Sequence, residues 1–319
     1  MTKSMLRGLL LVGMVVLLGL GAWQVSVWAN RPLAEPLALS KVEPAVNQPA
    51  LTPDAAGVCG NRGTLVVLFT GADFSGGVWP LGADAVRLVK LDFSNQKVDS
   101  VAFSRDLLLE TKTVANMPSQ RLGLAYHYAK QAAPGNNEAK VIAGTNTVAQ
   151  ALVDAFGVAP EYYITVQLDS VQAMIDTLGG VPVNLPQALT SDSGVNFPAG
   201  QQTLNGALSA EYLRTYDPGG DLARMKRQNL YLQALQARVI SAGAVAKAPE
   251  LLQQFDQAIV TDLSPKQLAD LACLIEKVPS EQVTFHEISG NLLRAGQDGA
   301  VLPDTAGIKT FLQGIFGAQ

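Results

Sequence analysis

The chain has 319 residues with 23 basic and 27 acidic side chains and a net charge of −4, which excludes the basic footprint that sequence-independent nucleic-acid binding needs. With 48% apolar and 16% charged residues it is rich enough in hydrophobics to bury a large core and too poor in charge to remain disordered. His127, His286, Cys59 and Cys273 are its only histidines and cysteines, so neither a closed zinc site nor a three-histidine zinc site can be assembled, and any metal is hard and held by oxygen.

Gly8 to Trp28 is a run of 21 uncharged residues, long enough at about 1.5 Å per residue to cross a bilayer core of about 30 Å. Lys3 and Arg7 precede it and only Arg31 follows closely, which keeps the N-terminus in the cytoplasm and sends the rest outward. The alternative is a cleaved signal peptide, with Val27 and Ala29 as small residues before the cut. Asn30 to Gly57 holds five of the 17 prolines and reads as an extended spacer. The organisation expected is a cytoplasmic stub and membrane anchor over 1–29, a linker over 30–58 and a folded extracytoplasmic domain over 59–319.

Within that domain, Thr64 to Thr70, Ala85 to Leu91 and Lys97 to Ser104 read as strands, the last two joined by the turn-forming Asp92 to Gln96. An antiparallel hairpin there places Asp84 beside Arg105, and Asp73 joins the same edge if the first and third strands run in the same direction. Helices are expected over Lys140 to Phe156, Ser170 to Leu178, Ser209 to Thr215, Asp221 to Ser241, Ser264 to Lys277 and Asp304 to Phe316. Strands are expected over Tyr162 to Leu168, Val181 to Leu185 and Gln282 to Ile288. This order gives an α/β (α+β) fold with a central mixed sheet covered by helices.

Taken singly, the charged residues have ordinary explanations. Asp73 in Thr70-Gly71-Ala72-Asp73 suits a turn, Arg105-Asp106 a surface ion pair, and Arg224, Lys226 and Arg227 a solvated helix face. Together they match phosphoryl transfer, in which carboxylates hold a divalent cation and arginines clamp phosphate oxygens. Helical spacing aligns Asp221, Arg224 and Gln228 in one stripe. His127 reads as a partly buried helix residue, and neither a nucleophile elbow nor a P-loop is present.

These residues resemble the LytR-CpsA-Psr (LCP) family of bacterial cell-wall assembly. The resemblance runs in order through Leu68 to Asp73, Gly82-Ala83-Asp84, Phe103-Ser104-Arg105-Asp106, Arg121 to Tyr128, Asp176 to Val181, Leu204-Asn205-Gly206, Tyr212-Leu213-Arg214, and Asp221, Arg224, Arg227 and Gln228. It implies a membrane-anchored, magnesium-dependent phosphotransferase that moves a glycopolymer from a polyprenyl-pyrophosphate carrier onto peptidoglycan or another envelope acceptor. Asp73 and Asp84 then bind Mg²⁺. Arg105, Asp221 and Arg224 are the catalytic set, and Arg105, Arg121, Arg214, Arg224, Arg227 and Gln228 hold phosphate. Phe74, Gly82 and Tyr216 stand where the family usually carries arginine. Two further readings use the same pocket: a carrier-binding protein without transfer chemistry, and a pyrophosphate hydrolase.

An exported domain with two cysteines in an oxidising compartment leaves one intramolecular pairing, Cys59 with Cys273; two separate buried thiols are the alternative.

Overall fold

The structure, a computed structural model, describes residues 26–40, 51–72, 82–109, 117, 119–216, 219–243, 258–288 and 290–317. The strands are β1 (Thr52–Val58), β2 (Asn61–Arg62), β3 (Thr64–Ala72), β4 (Ala83–Asp92), β5 (Lys97–Phe103), β6 (Tyr162–Gln167), β7 (Val181–Leu185), β8 (Leu189–Thr190), β9 (Asn196–Phe197), β10 (Gly200–Leu204), β11 (Ile259–Thr261), β12 (Val283–Glu287), β13 (Leu293–Ala295) and β14 (Val301–Pro303). The longer helices are α1 (Leu122–Ala132), α2 (Asn137–Phe156), α3 (Leu168–Thr177), α4 (Gly206–Arg214), α5 (Gly220–Ser241), α6 (Pro265–Lys277) and α7 (Thr305–Phe316).

A six-stranded mixed sheet of order β11-β6-β3-β4-β5-β12 forms the centre, as expected. The apolar run TLVVLFTGA makes β3 an interior strand, parallel to β6 and antiparallel to β4. Alternation along the strands then builds two cores. Val66, Leu68, Leu88, Val101 and Phe103 face α1, α2 and α7, where Phe103 stacks on Phe156 at 5.9 Å. Leu65, Val67, Leu91 and Val98 face Leu274 of α6 and Val278 at its end. A smaller cluster around Val181, Leu204, Tyr212 and Tyr231 joins the β7–β10 pair to α3, α4 and α5.

Capping chemistry sets the helix ends. Ser264 and Gln267 form a capping box ahead of α6, with Pro265 at its first turn. The helix expected from Ser209 starts earlier, at Gly206, because Asn205 accepts the Leu208 amide at 2.9 Å and so acts as its N-cap. Gly206 has a second reason: a Cβ there would lie 2.1 Å from the Gln172 carbonyl, and its amide donates to Asp176 Oδ1 at 2.7 Å, so α3 and α4 meet through a residue without a side chain.

Part of the segment expected as a spacer over 30–58 lies against the domain, with contacts that begin well before Cys59. Leu33 donates its amide to the Leu263 carbonyl at 3.3 Å, Ala38 to Asn146 Oδ1 at 3.1 Å and Ser40 to Gln150 Oε1 at 2.8 Å, while Tyr163 donates its hydroxyl to the Glu35 carbonyl at 3.1 Å. Ala34, Leu37 and Leu39 pack on the larger core. Proline holds such a segment extended, and extended backbone offers its amides to side-chain acceptors and its alternate apolar residues to a surface. Thr52–Val58 likewise pairs with β2. The expected anchor, Gly8 to Trp28, lies outside the described residues apart from 26–28, which belong to a helical stretch over 26–30; among the described residues no helix is long and apolar enough to cross a membrane. Cys59 and Cys273 are joined in a disulfide with Cα atoms 5.9 Å apart, which ties the turn after β1 to α6.

Candidate active site

The β4–β5 register builds the site. Val86 stands opposite Phe103, and the same register carried two residues further sets Asp84 against Arg105. Arg105 Nη1 pairs with Asp84 Oδ1, and Arg214 Nε lies 3.8 Å from the other carboxylate oxygen. Helix α1 then closes on this edge, with the Gly123 amide donating to the Arg105 carbonyl at 2.8 Å. The approach is tight on both sides: a Cβ on Gly82 would sit 2.1 Å from the Gly123 carbonyl, and one on Gly123 would sit 2.8 Å from the Ala83 carbonyl. Gly82 is therefore a packing requirement of this chain, and no side chain fits where the family usually has arginine.

The first turn of α5 is bolted to both strand ends. Asp221 Oδ1 accepts from Arg224 Nε at 2.7 Å; its Oδ2 accepts from Ser104 Oγ at 2.6 Å and from the Arg105 amide at 3.1 Å. Arg224, 1% exposed, also donates through Nη1 to the Asp84 carbonyl at 2.9 Å. Burial works against the Arg224 charge, but Asp221, Tyr216 and Asp84 favour it more and hold the pKa above its ordinary value, so the cation is permanent. Arg105, Arg214 and Arg224 thus surround Asp84, and Asp221 is committed to Arg224, Ser104 and the Arg105 backbone.

Tyr216 covers this cluster. Its ring lies 5.3 Å from the Arg224 guanidinium carbon and its hydroxyl donates to Asp106 Oδ2 at 3.2 Å. Burial pushes the phenol pKa well above its usual value, so it stays a neutral donor. Three of the expected phosphate ligands, Arg121, Arg227 and Gln228, contact acceptors of the protein itself. Arg121 pairs with Asp106 Oδ1 at 3.2 Å and bonds the Asp298 carbonyl, because the largely buried Asp106 carboxylate requires a cation. Arg227 bonds the Thr215 carbonyl and Gln228 the Leu213 carbonyl at 3.3 Å, since the last carbonyls of α4 lack helical partners. Arg227 and Gln228 thus brace the end of α4 that carries Arg214 and leads into Tyr216.

Asp73 and Phe74 lie outside the described residues. Among the described residues no group of three or more carboxylate, histidine or cysteine ligands gathers. Magnesium uses one or two carboxylates together with substrate phosphates, and Asp84, a partly exposed oxygen donor at the mouth of an arginine cluster, suits that chemistry. Sequence reasoning missed Ser104 as the buried hydroxyl that locks Asp221, Asp106 as the hub for Arg121 and Tyr216, and Arg87, which is 3% exposed in mid-strand. Ser104 and Asp106 flank Arg105 in the motif already singled out; Arg87 looks, in an alternating strand, like an outward-facing residue.

Comparison with known proteins agrees with this architecture. Regulatory protein MsrR of Staphylococcus aureus (strain COL) is 29% identical over 194 residues, 60% of this chain and 54% of that protein. The polyisoprenyl-teichoic acid–peptidoglycan teichoic acid transferase TagU of Oceanobacillus iheyensis is 30% identical over 192 residues, 59% of this chain and 56% of that protein. The chain therefore spans about half the length of the curated relatives it matches. The crystal structure of Bacillus subtilis TagV superposes with a TM-score of 0.61 at 22% identity, covering 79% of this chain and 96% of that one, which shows the fold. The LytR_cpsA_psr family matches residues 36–310, most of the sequence, and the chain belongs to that family.

Proposed function

We propose that the protein is a phosphotransferase that moves a glycopolymer from a polyprenyl-pyrophosphate carrier onto peptidoglycan or another cell-envelope acceptor. The observation that carries this reading is the convergence of Arg105, Arg214 and Arg224 on Asp84 at one sheet edge, fixed from behind by Asp221. Such an arrangement offers preorganised cations to a phosphate group that develops charge during transfer. The name of the relative TagU, with a teichoic acid on a polyisoprenyl carrier and peptidoglycan as acceptor, supports the substrate class.

In this reading Arg105 and Arg224 hold phosphate oxygens while Arg214 closes the site from α4. Both oxygens of Asp221 are engaged, so it orients and does not take a proton. Asp84, with its side chain 18% exposed, is the carboxylate within reach of an attacking hydroxyl or of a magnesium ion. Asp84, together with Asp73, would hold the magnesium ion that would supply positive charge to the diphosphate. The proposed setting is the outer face of the cell membrane, with Gly8 to Trp28 as a single-pass anchor and the domain extracytoplasmic.

A turnover assay with labelled prenyl-pyrophosphate-linked glycopolymer, run with magnesium and with a chelator, tests the reading. Expected is metal-dependent transfer to peptidoglycan that falls about a hundredfold or more in Asp84→Asn, with unchanged melting temperature. Tyr216 in front of Arg224 favours a second reading, a binding protein: the carrier bound without turnover establishes that one instead, and release of the polymer to water establishes a hydrolase.

A further inference from the structure

The chain becomes part of the domain very soon after its long apolar run. Trp28 ends that run, the Arg31 amide donates to the Trp28 carbonyl at 3.2 Å, and from Leu33 onward the backbone is seated. Leu33 bonds the Leu263 carbonyl at the β11–α6 junction, Glu35 receives the Tyr163 hydroxyl of β6, and Ala38 and Ser40 donate to Asn146 and Gln150 of α2. Ala34, Leu37 and Leu39 pack on the larger core. A strap fastened at three elements does not swing as a flexible spacer does. Its start, in contrast, leaves apolar side chains outside: Val27, Trp28 and Leu33 are 50%, 65% and 52% exposed. These are three of the five large apolar side chains left exposed among the described residues, and they fall within seven consecutive positions. Apolar surface gathered in this way marks a contact with something apolar.

Reach decides what that contact is. Five residues lead from Trp28 to Leu33, and an extended chain covers at most about 3.6 Å per residue, so Leu33 lies within about 18 Å of Trp28. The turn at Arg31 shortens this further. A folded body the size of residues 40–319 has a radius of gyration of about 19 Å, so the tether is no longer than the radius of what it holds. We propose that the strap clamps the domain to the surface of the bilayer that holds its own anchor, through a lipid-contacting face around Leu33 and the first turn of α6. Trp28 and Leu33 sit at the boundary between headgroups and acyl chains, where tryptophan settles in membrane proteins, and the exposed Arg31 lies among the lipid phosphates. Lys266, 45% exposed beside Asp270, marks the same face. This rests on the reading of Gly8 to Trp28 as a membrane anchor and goes beyond it, because an anchor on a free spacer sets neither the height nor the tilt of the domain. The strap sets both, and with them the position of the Asp84 edge above the membrane.

The test places the full-length chain in phosphatidylcholine–phosphatidylglycerol nanodiscs that include a phospholipid with a photoactivatable diazirine on its headgroup. Crosslinked positions are read by mass spectrometry, and amide exchange is followed on the same samples. Wild type is compared with a variant carrying about sixteen added Gly-Ser residues between Pro32 and Leu33, a flexible extension of the tether. Expected in wild type are crosslinks at residues 27–33 and at the first turn of α6, Lys266 included, with slow exchange of the Leu33, Ala38 and Ser40 amides. The variant is expected to keep the slow Ala38 and Ser40 amides and the crosslinks at 27–31, while its Lys266 yield falls about tenfold, because the local concentration of a tethered surface falls as about the −3/2 power of tether length. Wild-type crosslinks spread over the domain without preference for that turn overturn the inference alone. So does fast exchange at Ala38 and Ser40 in wild type, which frees the strap, and so does a Lys266 yield that the added residues leave unchanged. Wild type that is not retained in the nanodisc overturns this inference and the anchor reading together.

Discussion

At the scale of single residues, the site departs from its family in ways that have different physical causes. Tyr216 supplies an aromatic face to Arg224 and a hydroxyl to Asp106, so the position still contributes contacts without contributing charge. Gly82 is different in kind, because the Gly123 carbonyl occupies the space of a Cβ. Restoring arginine there forces β4 and α1 apart. Gly82→Arg is expected to cost about 2 kcal/mol or more of stability, as overpacked interiors do, with no gain in pyrophosphate affinity. Thermal melting and calorimetry check this, and tighter binding at an unchanged melting temperature would refute it. The pairing of Asp84 with Arg105 was readable in advance, since a hairpin register is a local property set by the Asp92 to Gln96 turn. The carbonyl contacts of Arg227 and Gln228 were not, because these partners belong to a different helix end, and spacing along α5 carries no information about α4.

At the scale of elements, the extended segment over residues 33–40 is the least anticipated feature, and one carboxylate governs its seat. Asp262 Oδ1 accepts the Tyr163 amide at 2.8 Å while its Oδ2 is buried without a hydrogen-bond partner, so it joins β6 to the end of β11, where the Leu263 carbonyl accepts the Leu33 amide. Burial raises the Asp262 pKa to about 6 despite the Tyr163 hydrogen bond. The folded chain therefore holds this proton more tightly than the unfolded chain, whose carboxylate titrates near 3.9. The contribution to stability is fully present below about pH 4 and is lost as the pH rises through about 6. Asp262→Asn keeps the acceptor for Tyr163 and removes the buried charge. It is expected to be about 1–2 kcal/mol more stable than wild type at pH 7 and equal to it near pH 3.5, as read by urea denaturation at the two pH values. Equal stabilities at both would contradict the assignment.

For the molecule as a whole, the disulfide is the longest covalent constraint, joining positions 214 apart. It fastens the turn between β1 and β2 to α6, the helix that covers one face of the sheet, and Cys59 itself packs against that core. The chain-entropy argument assigns such a closure up to about 5 kcal/mol. Cys273→Ser is expected to lower the melting temperature by several degrees without altering pyrophosphate affinity, because the bond lies away from the Asp84 edge. Melting curves and calorimetry of the variant measure both, and loss of binding in a still-folded variant would show that the staple shapes the site.

The sheet core and the helix succession were legible in the amino-acid sequence, because they follow from periodicity, local register and capping residues; the cysteine pairing was inferred from compartment and count, and the family from the resemblance of its motifs. Asn205 ahead of Gly206 and Ser264 ahead of Pro265 show how much of a helix end is written in adjacent residues. Which arginines gather around Asp84 became legible only in the folded chain. Arg121 and Arg227 bond acceptors of the protein, and Arg87, on a strand that reads as half-exposed, is buried with its guanidinium against Ser100 and Phe285. The reason is that a guanidinium reaches across neighbouring elements, so its partners are fixed by helix packing over the sheet and not by the residues next to it in the chain.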